Sequence, residues 1–147
     1  MLAATDIAEI AERLGRSADE FNGTSVMLTG GCGFIGSYFI EVFRYLNRHR
    51  LKEPCRLTVL DNFITSDDAT AAMAGLPDVR LINHDVITPM EGAAFDERVD
   101  FLIHAAGIAS PFYYRKYPLQ TLEVAQARQS REHRSRRMEK RLREGRT

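Results

Sequence analysis

The 147 residues are 44% hydrophobic and 27% charged with a formal net charge of zero, the composition of one globular domain at most. No apolar run approaches membrane-spanning length; the N-terminus, with Asp6, Glu9 and Glu12, reads as neither signal nor transit peptide. Zero net charge hides an asymmetry: residues 1–125 hold 11 Lys/Arg against 17 Asp/Glu, and residues 126–147 hold 9 against 3, an acidic domain with a basic tail.

In chain order, Ile7, Ile10, Ala11 and Leu14 recur at helical spacing. Asp6 and Glu9 are placed as a capping pair and Gly15 as a stop, which predicts a short amphipathic arm over residues 1–22. Strand one is expected at Ser25–Thr29 and a helix from Gly33 to about His49. Strand two follows at Arg56–Asp61, then a short helix at Ala69–Ala74 ended by Gly75 and Pro77. Strand three is expected at Val79–Ile82 and strand four at Val99–His104, after a Pro89 break and a weak helical patch. Alternating helices and continuous apolar strands imply an α/β fold, a Rossmann-like doubly wound parallel sheet covered on both faces with strand order 3-2-1-4. From Gln126 the arginine-rich text offers no apolar face. That tail reads as a solvated helix or as disorder.

The run Thr29-Gly30-Gly31-Cys32-Gly33-Phe34-Ile35-Gly36 joins strand one to the first core helix. Glycines permit a tight turn and close approach of backbone N–H groups to phosphates, and the helix N-terminus favours an anion. Asp61 closes strand two, where a carboxylate accepts hydrogen bonds from both ribose hydroxyls and repels a 2′-phosphate. The pattern points to a dinucleotide, with NAD favoured over NADP. Cys32 stands near a helix start, a place that lowers a thiol pKa, but a small filler of the turn is the preferred reading. Cys32 and Cys55 have neither metal-ligand spacing nor framework partners, so no metal site is expected and the setting is reducing and cytoplasmic. His104 reads as a satisfied sheet residue rather than a base.

The glycine run, with Asp61-Asn62-Phe63, Thr65 and Asp85-Val86, resembles the extended short-chain dehydrogenases/reductases of the NAD-dependent epimerase/dehydratase family, which act on nucleotide sugars. The segment His104-Ala105-Ala106-Gly107-Ile108-Ala109-Ser110-Pro111 with Tyr114, Pro118 and Thr121 looks most like the UDP-glucuronate decarboxylase branch. The resemblance covers about residues 23–125. It implies that Gly30, Gly33, Phe34, Ile35 and Gly36 hold the pyrophosphate, and that Asp61 and Asn62 take the adenosine ribose with Thr65 nearby. It further implies that Asp85 and Val86 border the adenine, with turn capping as the competing role for Asp85. Ala105, Ala106 and Gly107 would face the nicotinamide half, and Ser110 and Tyr114 the sugar nucleotide.

Such enzymes use a tyrosinate base whose pKa is lowered by a lysine four residues on. No tyrosine here has that lysine, so no catalytic residue is assigned. The chain is expected to be the NAD-binding portion, truncated after about four strands and not catalytic alone, with strand four left as an edge prone to self-association. Two alternatives stand beside it. One is a non-catalytic dinucleotide-binding module or subunit. The other is a nucleic-acid-binding role for the tail, disfavoured because no aromatic residues interleave its arginines.

Overall fold

A computed structural model describes residues 4–64, 76, 78–91, 98–107, 115–119 and 122–124. The predicted helix at Ala69–Ala74, residues 92–97 of the stretch between Pro89 and Val99 where a weak helical patch is expected, and the basic tail lie outside the described residues. The chain divides into two units, Met1–Ala106 and Gly107–Thr147. Among the described residues no helix is long and apolar enough to cross a membrane.

The first unit begins with helix α1 (Ala4–Arg13), whose Ile7 and Ala11 are buried. It packs against the later helix α2 (Phe34–His49). Gly15 ends it at φ +52°, the left-handed conformation that glycine adopts without a Cβ penalty. Asp6 and Glu9 do not form the expected capping pair. Asp6 already lies within the first turn of the described helix and accepts a hydrogen bond from the Tyr38 hydroxyl of α2 at 3.4 Å. Glu9 pairs instead with Arg13 one turn on, at 2.6 Å. A 3-10 segment, Gly15–Phe21, follows. Its last ring, Phe21, meets Phe43 of α2 at 5.0 Å and Phe101 at 4.9 Å between centroids.

The sheet contains β1 (Ser25–Thr29), β2 (Arg56–Asp61), β3 (Val79–Asn83) and β4 (Phe101–His104). All pairings are parallel, in the order β3-β2-β1-β4, as the alternating pattern predicts. β1 is buried along its whole length and β2 along all but Arg56, so the two central strands are covered on both faces. β3 and β4 are only partly buried. They are the outer strands of the sheet, where the full burial of the central strands is not repeated. α2 lays Gly36, Ile40, Phe43 and Leu46, residues three or four apart, against this core, where Leu28, Val26, Val59 and Leu60 are fully buried. Side chains so placed each contribute roughly 1.5–3 kcal/mol. Arg44 ties α2 to the start of β3, reaching Glu41 at 2.9 Å and Asp78 at 3.2 Å.

β4 starts at Phe101, two residues later than predicted, because Asp100 is used otherwise. Its N–H donates to the Ser25 carbonyl at 2.9 Å, and its carboxylate accepts the Ser25 N–H at 3.0 Å. That bond, with Arg98 beside it, holds the Asp100 carboxyl below its ordinary value of 3.8. A depressed folded-state pKa contributes stability that is present above the unfolded value and lost as pH falls through the folded one. Thermal melts from pH 7 to pH 2 are therefore expected to show a midpoint that declines below about pH 4. The decline should be shallower in Asp100→Ala, whose midpoint at pH 7 is already lower.

Candidate functional site

In a parallel sheet every strand delivers its C-terminal end to the same edge. Here that edge gathers Gly30 after β1, Asp61 and Asn62 at the end of β2, Asp85 and Val86 after β3, and Ala105 and Ala106 after β4. The registers Thr29↔Leu60, Thr29↔His104 and Asp61↔Asn83 set these ends side by side.

The turn between β1 and α2 is built by contact of backbone with backbone. Gly30 has φ +72°, and its N–H donates to the Leu60 carbonyl at 2.8 Å. A Cβ on Gly30 would stand 2.4 Å from the Ala106 backbone, and one on Gly36 2.2 Å from the Gly30 carbonyl oxygen. On Gly31 it would stand 2.3 Å from Val59 Cγ1. Real Cβ atoms do not come so close, so the protein's own packing demands these three glycines. Gly33 differs. A Cβ there would meet only the Gly30 oxygen, at 3.4 Å, and its φ of −75° and ψ of 172° suit any residue. Nothing within the described chain needs Gly33 to be bare.

Gly33 is the N-cap of α2 and no side chain caps the helix. The first amide with an intrahelical partner is that of Ser37, donating to the Gly33 carbonyl at 2.9 Å. The amides of Phe34, Ile35 and Gly36 precede it and have no intrahelical acceptor. They stand at the positive end of the helix dipole, where an anion gains most. The Phe34 and Ile35 side chains are exposed, at 74% and 57%, an unusual position for large apolar groups. This donor set, beside an open Gly33, fits the diphosphate of a dinucleotide.

Asp61 is buried, and both of its carboxylate oxygens are occupied by backbone. Oδ2 accepts the Cys32 N–H at 2.8 Å and Oδ1 the Phe63 N–H at 2.9 Å. Asn62 repeats the local turn, with its Oδ1 accepting the Ile64 N–H at 3.2 Å while its Nδ2 donates to Asp85 Oδ2 at 3.0 Å. Asp85 Oδ1 takes the Ile87 N–H at 3.1 Å, so the turn-capping role considered for Asp85 is realised. Val86 is buried beside it. The Ala105 N–H donates to the Thr29 carbonyl at 2.9 Å, and Thr29 Oγ1 lies 2.6 Å from His104 Nδ1, which ties that ring to β1. Gly107 opens the second unit and is exposed. Thr65, Ser110 and Tyr114 lie outside the described residues.

A helix start does not activate Cys32. Burial first, then the charge and hydrogen bond of Asp61, push its thiol up to about 12. It stays neutral at physiological pH, and the filler reading holds. Three features escaped the sequence. The Cys32 amide is a partner of Asp61, Gly31 is required beneath Val59, and Phe63 is left-handed at φ +57°. Glycine identity alone signalled the second. Nothing in the local sequence signalled the others.

The glycines yield a contrast that can be measured. Gly36→Ala is expected to lose at least about 2 kcal/mol in urea melts, because backbone would have to move. Gly33→Ala should change stability by less than about 1 kcal/mol, yet weaken NAD⁺ binding at least tenfold in calorimetry.

Residues 26–131 match the family model described as NAD dependent epimerase/dehydratase family. UDP-glucuronic acid decarboxylase 6 of Arabidopsis thaliana is 35% identical over 100 residues, 67% of this chain and 26% of that protein. UDP-glucuronic acid decarboxylase 1 of Danio rerio is 32% identical over 100 residues, 67% of this chain and 21% of that protein. Among solved structures, Pen from Bacillus thuringiensis superposes with a TM-score of 0.48 at 16% identity, over 71% of this chain and 30% of that one. The match thus spans about a quarter of the length of these curated relatives.

Proposed function

The chain belongs to the NAD dependent epimerase/dehydratase family, and on that premise we propose that it is the NAD-binding portion of a nucleotide-sugar epimerase, dehydratase or decarboxylase. The UDP-glucuronate decarboxylase branch is the specific reading, supported by the names and identities of the curated relatives. The cofactor of the family is NAD. The observation that carries the reading is the bare Gly33, which packing among the described residues does not require, next to helix amides without intrahelical acceptors.

In this proposal the amides of Phe34, Ile35 and Gly36 hold the diphosphate over Gly30 and Gly33. Asp61 accepts from the adenosine ribose hydroxyls with Asn62, and the family resemblance alone adds Thr65 to this group. Asp85 and Val86 border the adenine. Ala105 and Ala106 give small residues to the nicotinamide half, and the family resemblance alone assigns Gly107 to that half and Ser110 and Tyr114 to the sugar nucleotide. When bound, NAD supplies a ring that takes a hydride from the sugar and later returns it. The chain contributes binding and orientation. It does not turn over substrate alone, because its sequence lacks the Tyr-x-x-x-Lys pair that would hold a phenolate base.

The same proposal puts the protein in the cytoplasm and gives it a tendency to self-associate along the outer strand β4, where Leu102 is 43% exposed. Gel filtration across a concentration series is expected to show larger species at higher concentration. A single monomeric peak throughout would argue against the edge contact.

Calorimetry on the folded protein is expected to register NAD⁺ binding, with NADP⁺ at least tenfold weaker because its 2′-phosphate meets the Asp61 carboxylate. Incubation with UDP-glucuronate and NAD⁺ should release no CO₂. Absence of any NAD⁺ binding would remove the reading, and substrate turnover would remove its non-catalytic part.

A further inference from the structure

We propose that Asp61 is the positioning residue of the glycine turn as well as a ribose contact, so that diphosphate binding depends on its carboxylate even when the ligand has no ribose hydroxyls. The inference rests on the cofactor reading above and deepens it.

Two backbone donors converge on this side chain. The Cys32 N–H reaches Oδ2 at 2.8 Å and the Phe63 N–H reaches Oδ1 at 2.9 Å. One donor belongs to the turn that begins α2, the other to the segment after β2. A single carboxylate therefore clasps two separate stretches of chain. Cys32 lies between Gly31 and Gly33, so fixing its peptide fixes the residue that must be bare and the amides that follow. Bonds from N–H groups to a buried carboxylate are of the charge-assisted kind, about twice as strong as neutral ones.

The second stretch adds an independent sign. Phe63 sits at φ +57°, a conformation that a bulky non-glycine residue adopts only where its surroundings hold it. Its N–H bond to Asp61 is such a hold. An asparagine has the same shape but one acceptor atom in place of two. Whichever way its amide is turned, an NH₂ group faces one of the backbone donors. Asp61→Asn must therefore release either the turn or the following segment, and Asp61→Ala, which has no acceptor, releases both even before a ligand arrives.

This dependence has a consequence for coenzyme choice. Replacing Asp61 to admit a 2′-phosphate would loosen the diphosphate turn in the same step. Exchange of NAD for NADP by one substitution at this position is then expected to fail through lost phosphate binding, not through the ribose.

The test crosses a protein change with a ligand change. Binding of ADP and of 2′,3′-dideoxy-ADP is measured by calorimetry for wild type and Asp61→Ala. If Asp61 touches only the ribose, the dideoxy compound binds both proteins equally. The positioning role predicts that Asp61→Ala weakens the dideoxy compound at least fivefold as well, and a smaller loss overturns it. Residue-resolved amide exchange on ligand-free wild type gives a second readout that does not depend on the variant folding. The Cys32 and Phe63 amides should be protected at least tenfold relative to open chain, while those of Phe34 and Ile35 exchange readily until ADP is added. Unprotected Cys32 and Phe63 amides overturn the clasp. Wild type that binds neither ADP nor its analogue overturns the cofactor reading, and the positioning role with it. Loss of the fivefold effect alone overturns only the latter.

Discussion

Helix α2 begins where it does because backbone is pressed directly on backbone, and the rest of the site depends on that contact. Gly30 lies under the Ala105–Ala106 peptide and Gly36 against the Gly30 carbonyl, with less room than one methyl group needs. Through these contacts the end of β1, the end of β4 and the first turn of α2 are drawn together. The helix axis is thereby fixed against the sheet at its N-terminal end, and the amides of that turn emerge at the C-terminal rim. Side chains at these positions would have pushed the helix outward and taken its positive end away from the strands. Close packing of interiors leaves little slack for such a shift.

The rim is held by polar bonds where the core cannot reach. Asp61 joins the turn after β1 to the segment after β2. Asn62 passes the connection on to Asp85 after β3. The result is a continuous run of carboxylate and amide side chains along three strand ends, each satisfying backbone donors that the sheet ladder leaves over. Polar networks of this kind, buried at Asp61 and partly buried at Asn62 and Asp85, rigidify when every member is partnered. Carboxylate oxygens carry more lone pairs than these bonds use, and a ligand bearing hydroxyl and amine groups requires such acceptors.

The two edges of the sheet divide the work. At the N-terminal edge, Asp100 and Ser25 exchange a reciprocal pair of bonds that sets the start of β4. Phe21 wedges its ring between Phe43 and Phe101, and Asn47 holds both backbone groups of Cys55, each at 2.9 Å. These contacts are complete within the chain and concern stability. The C-terminal edge instead carries the exposed Phe34 and Ile35, the uncapped helix and the open Gly33. Features that internal packing leaves unexplained collect at the edge where α/β sheets receive ligands.

Much of this is legible in the sequence. Apolar runs bounded by glycine and charge locate β1 and β2 at their observed limits, and the parallel order follows from the alternation of strand and helix patterns along the sequence. The glycine spacing and the strand-end Asp61 mark the rim, because those residue types are required locally and by few other contexts. The start of β4 departs from the apolar pattern, since Val99 is apolar but Asp100 commits its carboxylate to a strand far away in sequence. The capping pair on α1 fails for a related reason: Asp6 finds a partner on α2. Tertiary structure alone decides which glycines serve packing and which is left open, how far the outer strands are covered, and that one carboxylate clasps two loops. Those outcomes turn on distances between segments remote in the chain, and a local pattern carries no such distances.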